Sequence, residues 1–233
     1  MKKVLIFIVL FIAVYHVSAQ DRSFNFGLHI TPNISWMKPD VDGEVYKSDG
    51  SSVHMGYGAE FNYFFIENIG IGTGININYT GGNLKYRTKF PTDQDSTGIL
   101  TRKYKLQYLE IPLVVIGTTG NMLGKFSIYA KFGLGTSFKL RARSFDDFVP
   151  NYNKETTITT ENRNISKEIS FVRESLIIGV GATYKVAKVL SVNLGLTYNN
   201  GFTDVLTTEN LADKSIKENA KVNYFEISLG VLF

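Results

Sequence analysis

The sequence predicts an all-β fold, an eight-stranded antiparallel transmembrane up-and-down β-barrel, and three observations carry that expectation. Segments alternate apolar with small or polar residues at a period of two, a secretory leader stands at the N-terminus, and short connections alternate with long ones. On a strand, successive side chains point to opposite faces. Ile69, Ile71, Thr73, Ile75, Ile77 and Tyr79 therefore share one face, and Gly70, Gly72, Gly74, Asn76 and Asn78 the other. One greasy and one polar face on each strand suits a barrel wetted inside and coated by lipid outside.

Taken in chain order, the leader comes first. Lys2 and Lys3 precede an apolar run from Val4 to Val14, and Val17-Ser18-Ala19 supplies the small residues of a cleavage site. The run is shorter than the roughly 20 apolar residues a spanning helix needs. The expectation is a cleaved signal peptide over residues 1–19 and an exported outer-membrane barrel domain over 20–233.

Eight strands follow by parity. The first sets Phe24, Phe26, Leu28, Ile30, Ile34 and Trp36 outward; the second, Val53, Met55, Tyr57, Ala59, Phe61, Tyr63 and Phe65. The third is the run beginning at Ile69. The fourth offers Leu109, Ile111, Leu113 and Val115, but Tyr104, Leu106 and Tyr108 have the opposite parity, which implies a bulge or a change of environment. The fifth carries Phe126, Ile128, Ala130, Phe132, Leu134, Thr136, Phe138 and Leu140 outward; the sixth, Leu176, Ile178, Val180, Ala182 and Tyr184. Leu190, Val192, Leu194, Leu196 and Tyr198 mark the seventh, and Phe225, Ile227, Leu229, Val231 and Phe233 the eighth.

Short turns are expected around Glu67-Asn68, from Gly117 to Gly124 and from Lys185 to Lys188; long polar loops are expected near 38–52, 82–102, 142–168 and 201–220. Short periplasmic turns and long external loops are the asymmetry of outer-membrane barrels. Gly81-Gly82-Asn83 and Asn199-Asn200-Gly201 read as turn-prone departures from strands, and Lys154 to Asn164 as a polar, mobile loop segment.

Alternation alone does not say which face is inside, and a soluble ligand-binding barrel would reverse it. Three features favour lipid outside. The polar face is rich in Gly and Asn, which fill a narrow lumen, whereas a ligand cavity is mostly apolar. The segments have the length of tilted spanning strands. Aromatics gather at strand ends: Tyr63, Phe65, Phe126, Tyr184 and Phe233 would form a periplasmic girdle, and Trp36, Tyr79, Phe138, Tyr198 and Phe225 an outer one.

An eight-stranded barrel is just wide enough for side chains to fill. The inward charges by parity are Glu60, Glu110, Lys131, Lys139, Arg141, Arg173 and Glu226, with His29 nearby. Such charges need partners. A turn centred near residue 120 would set Glu110 opposite Lys131 as a cross-strand ion pair. A polar plug that rigidifies the barrel is the expected role, ahead of a proton or ion path.

Other chemistries find little support. Cysteine is absent, which excludes disulfides, thiolate metal sites, cysteine catalysis and a lipoprotein anchor. Removing the two leader lysines lowers the formal charge from +4 to +2, and no basic helix or zinc-knuckle spacing points to nucleic acid. No metal-ligand or cofactor motif is visible, and Gly70, Gly72 and Gly74 alternate within a strand rather than opening a helix as a phosphate loop would. Beyond the leader only His29 and His54 are available as bases, and His54 beside Ser51 or Ser52 makes a weak catalytic candidate. A non-enzymatic barrel acting through its loops is favoured. A lipid-modifying or proteolytic barrel enzyme and a narrow channel remain the alternatives.

Tyr108-Leu109-Glu110-Ile111-Pro112-Leu113, Gly195-Leu196-Thr197-Tyr198 with Gly201-Phe202-Thr203-Asp204-Val205, and the aromatic C-terminus resemble the PorT-like outer-membrane β-barrel family typical of Bacteroidetes. The resemblance implies an integral outer-membrane barrel of a Gram-negative envelope, and its namesake takes part in secretion of surface proteins. Phe233 at the end of an alternating strand also looks like the signal read by the barrel assembly machinery. The partners expected are outer-membrane lipid and lipopolysaccharide, that machinery during biogenesis, and envelope or secretion proteins.

Overall fold

Eight strands hydrogen-bond in a closed ring, each antiparallel to the next in the chain. The computed structural model describes residues 24–40, 46–89, 97–119, 124–153, 155–208, 210 and 218–233, so the leader lies outside the described residues. The ring runs through β1 (Phe24–Pro39), β3 (Ser51–Ile66), β4 (Ile69–Lys89), β5 (Thr97–Thr118), β6 (Phe126–Pro150), β8 (Val172–Lys185), β9 (Ser191–Gly201) and β10 (Ala220–Leu232). It closes where β10 pairs with β1, from Gly27 opposite Leu232 to Pro39 opposite Ala220. Closure leaves the ring without an open sheet edge, the condition for strands to cross hydrocarbon. Two short strands are added at the outer end: β2 (Tyr46–Ser48) on β4, and β7 (Ile158–Asn164) on β6.

The sequence alternation becomes the two faces of this wall. Ile69, Ile71, Ile75 and Tyr79 of β4 are exposed on the outside, while Gly70, Gly72, Gly74 and Asn78 are buried inside. At the level of the span, a belt of Leu28, Ile30, Leu113, Val115, Phe132, Leu134, Val180, Leu194 and Ile227 faces outward in the same way.

β4, β5 and β6 are 21, 22 and 25 residues long, about twice what a tilted strand needs to cross the bilayer. Their outer halves invert the pattern. Beyond Thr80 the inward positions of β4 become Leu84 and Tyr86, both buried, and the outward positions become Asn83, Lys85 and Arg87. In β5, Leu100, Tyr104, Leu106 and Tyr108 point inward and Lys103 and Lys105 outward. The parity of β5 never changes; its surroundings do. Lipid outside gives way to water, and the polar lumen to an apolar core.

The structure corrects three expectations. The stretches near 82–102 and 142–168, expected as loops, are largely strand, and Ile158–Asn164 is strand β7 rather than loop; Lys154 lies outside the described residues. Gly81-Gly82 does not end its strand either. Gly81 has φ +153° and a Cβ there would lie 2.0 Å from the Tyr104 carbonyl oxygen; at Gly82 it would lie 2.6 Å from the Met37 nitrogen. Glycine is required because β4 runs close against the backbone of β5 and of β1 at this point. Ser35 Oγ accepts from the Gly81 N–H at 3.0 Å, and Asn33 Nδ2 donates to the Tyr79 carbonyl at 3.0 Å.

The apolar core of the outer half is sealed by the loops themselves. Ile165 and Ile169, between β7 and β8, and Val205 and Leu206, after β9, are buried against Met37, Leu84, Leu106, Ala142, Phe148 and Val222. A bridge between Ile169 and Leu206 ties the two loops together.

Candidate functional site

From the outer end inward, the interior passes through the apolar cap, which encloses a buried ionic cluster, and then through a hydrogen-bonded carboxylate hub, a small cavity and a periplasmic vestibule.

Arg102 on β5 and Asp146 on β6 face each other in register, on the same inward parity as Tyr104 and Phe148. Arg102 Nε and Nη2 donate to the two Asp146 oxygens at 2.9 Å each, and its Nη1 donates to Glu168 at 2.9 Å. Arg163 of β7 completes the cluster, donating to Glu168 at 2.8 Å and approaching Asp146 at 3.4 Å. Two cations meet two anions, so the charges balance. The Arg102 and Asp146 side chains are only 4% and 3% exposed, where bidentate geometry offsets desolvation best. Beside them Tyr46 stacks on Tyr86 with ring centroids 4.3 Å apart. Burial pushes the Tyr86 hydroxyl up to about 12, against the opposing pull of Arg102. Burial also raises the Glu218 carboxyl, although a 2.8 Å bond from Thr208 and the charge of Arg102 work the other way. Sequence reasoning missed Arg102 and Asp146. Their signal was a charge on the otherwise apolar parity of a strand.

Glu110 is the hub below. It accepts from Asn199 Nδ2 and the Tyr224 hydroxyl at 3.1 Å each, and from Ser137 Oγ at 3.4 Å. Arg173 Nη1 lies 3.9 Å away. The Arg173 guanidinium also donates to Asn199 and to the Val222 carbonyl at 2.9 Å, and lies 5.4 Å from the centre of the Tyr224 ring. The expected pairing of Glu110 with Lys131 is corrected: Glu110 stands opposite Ser137, and Lys131 opposite Ile116. Thr118 pairs with Tyr129, so the turn is centred beyond residue 123 and not near 120, which shifts every cross-strand partner.

The other expected lumen charges are dispersed. Glu60 accepts from Asn193 at 3.4 Å, and the Lys139 ammonium donates to the Ser166 and Ile169 carbonyls. Lys131, Glu226, Glu60 and Glu110 line a cavity of about 50 Å3 with His29, whose Nε2 is 3.1 Å from Asn76. That volume holds a few waters and excludes a larger solute. Arg141 is corrected outright: it is exposed on the outer surface. Gln107 faces Arg141 while Tyr108 faces Lys139, so Leu140 is an extra residue in β6, and the bulge turns Arg141 to the other face. On the periplasmic side a vestibule of about 680 Å3 opens beneath the cavity, lined by Lys125, Lys131, Lys185, Glu60 and Glu67 among others.

The aromatic residues occupy two levels of the outer surface. Trp36, Tyr198 and Phe225 form one cluster, with centroids 4.7 Å apart for Tyr198–Phe225 and 5.7 Å for Trp36–Phe225. Tyr79 accepts from Gln107 at 3.1 Å, and Phe138 packs on Phe171 at 6.0 Å. At the other end Phe126 faces Tyr184, and Tyr63, Phe65 and Phe233 are exposed.

No catalytic constellation is assembled at His54. Ser51 is exposed, and the buried His54 Nε2 and Ser52 Oγ have no hydrogen-bond partner among the described residues. Among those residues no cluster of three or more His, Asp or Glu is placed to hold a metal ion.

The outer membrane protein beta-barrel domain family matches residues 7–233. No curated protein matches the sequence. Solved structures similar to this chain include Neisserial surface protein A, at 14% identity over 90% of this chain and 96% of that one, with a TM-score of 0.45. OprG from Pseudomonas aeruginosa is 15% identical over 90% and 95% of the two chains, with a TM-score of 0.41. The outer membrane protease OmpT from Escherichia coli is 13% identical over 93% and 99%, with a TM-score of 0.37.

Proposed function

Since the chain belongs to the outer membrane protein beta-barrel domain family and resides in the outer membrane, we propose that it is a non-enzymatic, non-conducting barrel whose folded outer end is a preformed platform for envelope partners. The observation that carries this reading is the sealed mouth: Ile165, Ile169, Val205 and Leu206 pack into a core continuous with the barrel wall. A surface ordered before contact loses little conformational entropy on binding. The partners proposed are envelope components, with secretion proteins as one class among them. Export through a signal peptide cleaved after Ala19, and insertion by the barrel assembly machinery, belong to the same proposal.

Planar-bilayer recording of the reconstituted protein tests the closed mouth, and no unitary current steps are expected. Resolved steps would favour the narrow channel. A pulldown from gently solubilised envelope with the barrel as bait then tests the secretion association, which predicts recovery of secretion-machine components.

A further inference from the structure

The outer surface above the aromatic level is strongly basic on one side. Lys85 of β4, Lys103 and Lys105 of β5, and Arg141 and Arg143 of β6 all point outward, and Lys47 of β2 stands opposite Lys85. None of the six forms an ion pair with another described residue.

Registers fix their height. Gln107, bonded to the Tyr79 hydroxyl at 3.1 Å, faces Arg141, so Arg141 stands at the level of the outer aromatic residues. Lys105 faces Arg143 one outward position higher, and Lys103 and Lys85 lie above these. One outward position is about 7 Å along a strand, and each headgroup layer is roughly 5–8 Å thick. Arg141, Arg143 and Lys105 therefore stand within the outer headgroup layer, while Lys103 and Lys85, at about 14 and 20 Å along the strands from the Arg141 level, stand above it. The Lys105 ammonium lies against the Phe145 ring, with Nζ 4.2 Å from its centre. Arg143 spends one N–H on the Asn162 carbonyl at 3.0 Å, leaving its other donors free. Asp147 shares this face two outward positions above Arg143 and accepts from Thr159 at 2.7 Å. Across the barrel Lys221 is paired with Asp40 at 2.6 Å.

We propose that this strip, formed by the outward faces of β4, β5 and β6 just above the outer aromatic residues, binds the phosphate groups of lipopolysaccharide in the outer leaflet. Neighbouring cations are about 5 Å apart across strands and about 7 Å along them, a spacing that engages a headgroup with more than one phosphate. Arg141 and Arg143 offer planar forks for phosphate oxygens, and the lysines add point charges.

The test uses the full mature chain in detergent micelles, titrated with bis-phosphorylated lipid A and with the same lipid stripped of phosphate, and read by native mass spectrometry. The protein is expected to retain the phosphorylated lipid selectively, with affinity falling as salt rises. The combined variant K85Q/K103Q/K105Q/R141Q/R143Q is expected to weaken retention at least about tenfold. A control variant, K125Q/K188Q, changes exposed lysines at the periplasmic end and is expected to bind like the parent. Heat-modified electrophoretic mobility verifies that each variant is a folded barrel. Equal retention of the stripped lipid, equal affinity of the five-site variant, or tighter capture of a soluble sulfated polysaccharide than of lipid A would overturn the proposal.

Discussion

Arg173→Ala is expected to lower the unfolding free energy of the barrel by about 3–5 kcal/mol, read from urea titration in detergent or vesicles. Arg173 is the counter-charge of a carboxylate shielded from bulk water, since the side chains of Arg173 and Glu110 are 1% and 4% exposed. Removing the guanidinium leaves Glu110 with only the neutral donors Asn199, Tyr224 and Ser137, and deprives Asn199 and the Val222 carbonyl of a donor. The cost is that of a stranded charge and two orphaned acceptors. Glu110→Gln provides the contrast, because it removes the charge and keeps a carbonyl oxygen for the same donors. It is expected to cost less than half as much, and the double variant R173M/E110Q to recover most of the loss. Equal effects of R173A and E110Q would mean that charge compensation is not what holds the lumen together.

Phe132→Arg is expected to destabilise the membrane-inserted barrel by about 2–4 kcal/mol. Phe132 is 58% exposed on β6, midway between Phe126 and Phe138, and faces Val115 and Ile178 on the neighbouring strands. An arginine there must pull lipid headgroups and water toward the bilayer centre. Thr101→Arg on the outer extension is the control, since Thr101 stands opposite the exposed Lys85. That change is expected within about 0.5 kcal/mol of the parent. Reversible unfolding from vesicles, followed by electrophoretic mobility, separates the two.

The spanning part of the fold was legible because one physical rule governs it: lipid outside and a packed polar lumen inside make polarity track parity, as in Ile69 to Thr80. The outer third was not, because the rule inverts there. Lys85 and Arg87 alternate with Leu84, Tyr86 and Thr88 as regularly as the isoleucines do with glycines, but charged residues between strands read as loop unless water is assigned to their side. Tyr104, Leu106 and Tyr108 carried the clue, and their opposite polarity marked a change of environment in β5 while the bulge lay in β6 at Leu140. That single inserted residue moved Arg141 from the lumen to the surface. Glu110 was legible as a lumen charge and its partners were not, because they depend on where a turn is centred. Arg102 with Asp146 required knowing that two outer segments are paired strands.

The outward face of β4 meets lipid below Gly81 and water above it. The chain contains no cysteine, so single cysteines placed along β4 from Ile69 to Arg87 and labelled with a fluorophore report the surroundings of each position in turn. With brominated lipid and a water-soluble maleimide as the two probes, labels at 69, 71, 75 and 77 are expected to be quenched by lipid. Cysteines at 83, 85 and 87 are expected to react with the maleimide, and those at 70, 72, 76 and 78 to respond to neither. Lipid quenching on the even positions, or water reactivity along all the odd ones, would contradict that boundary.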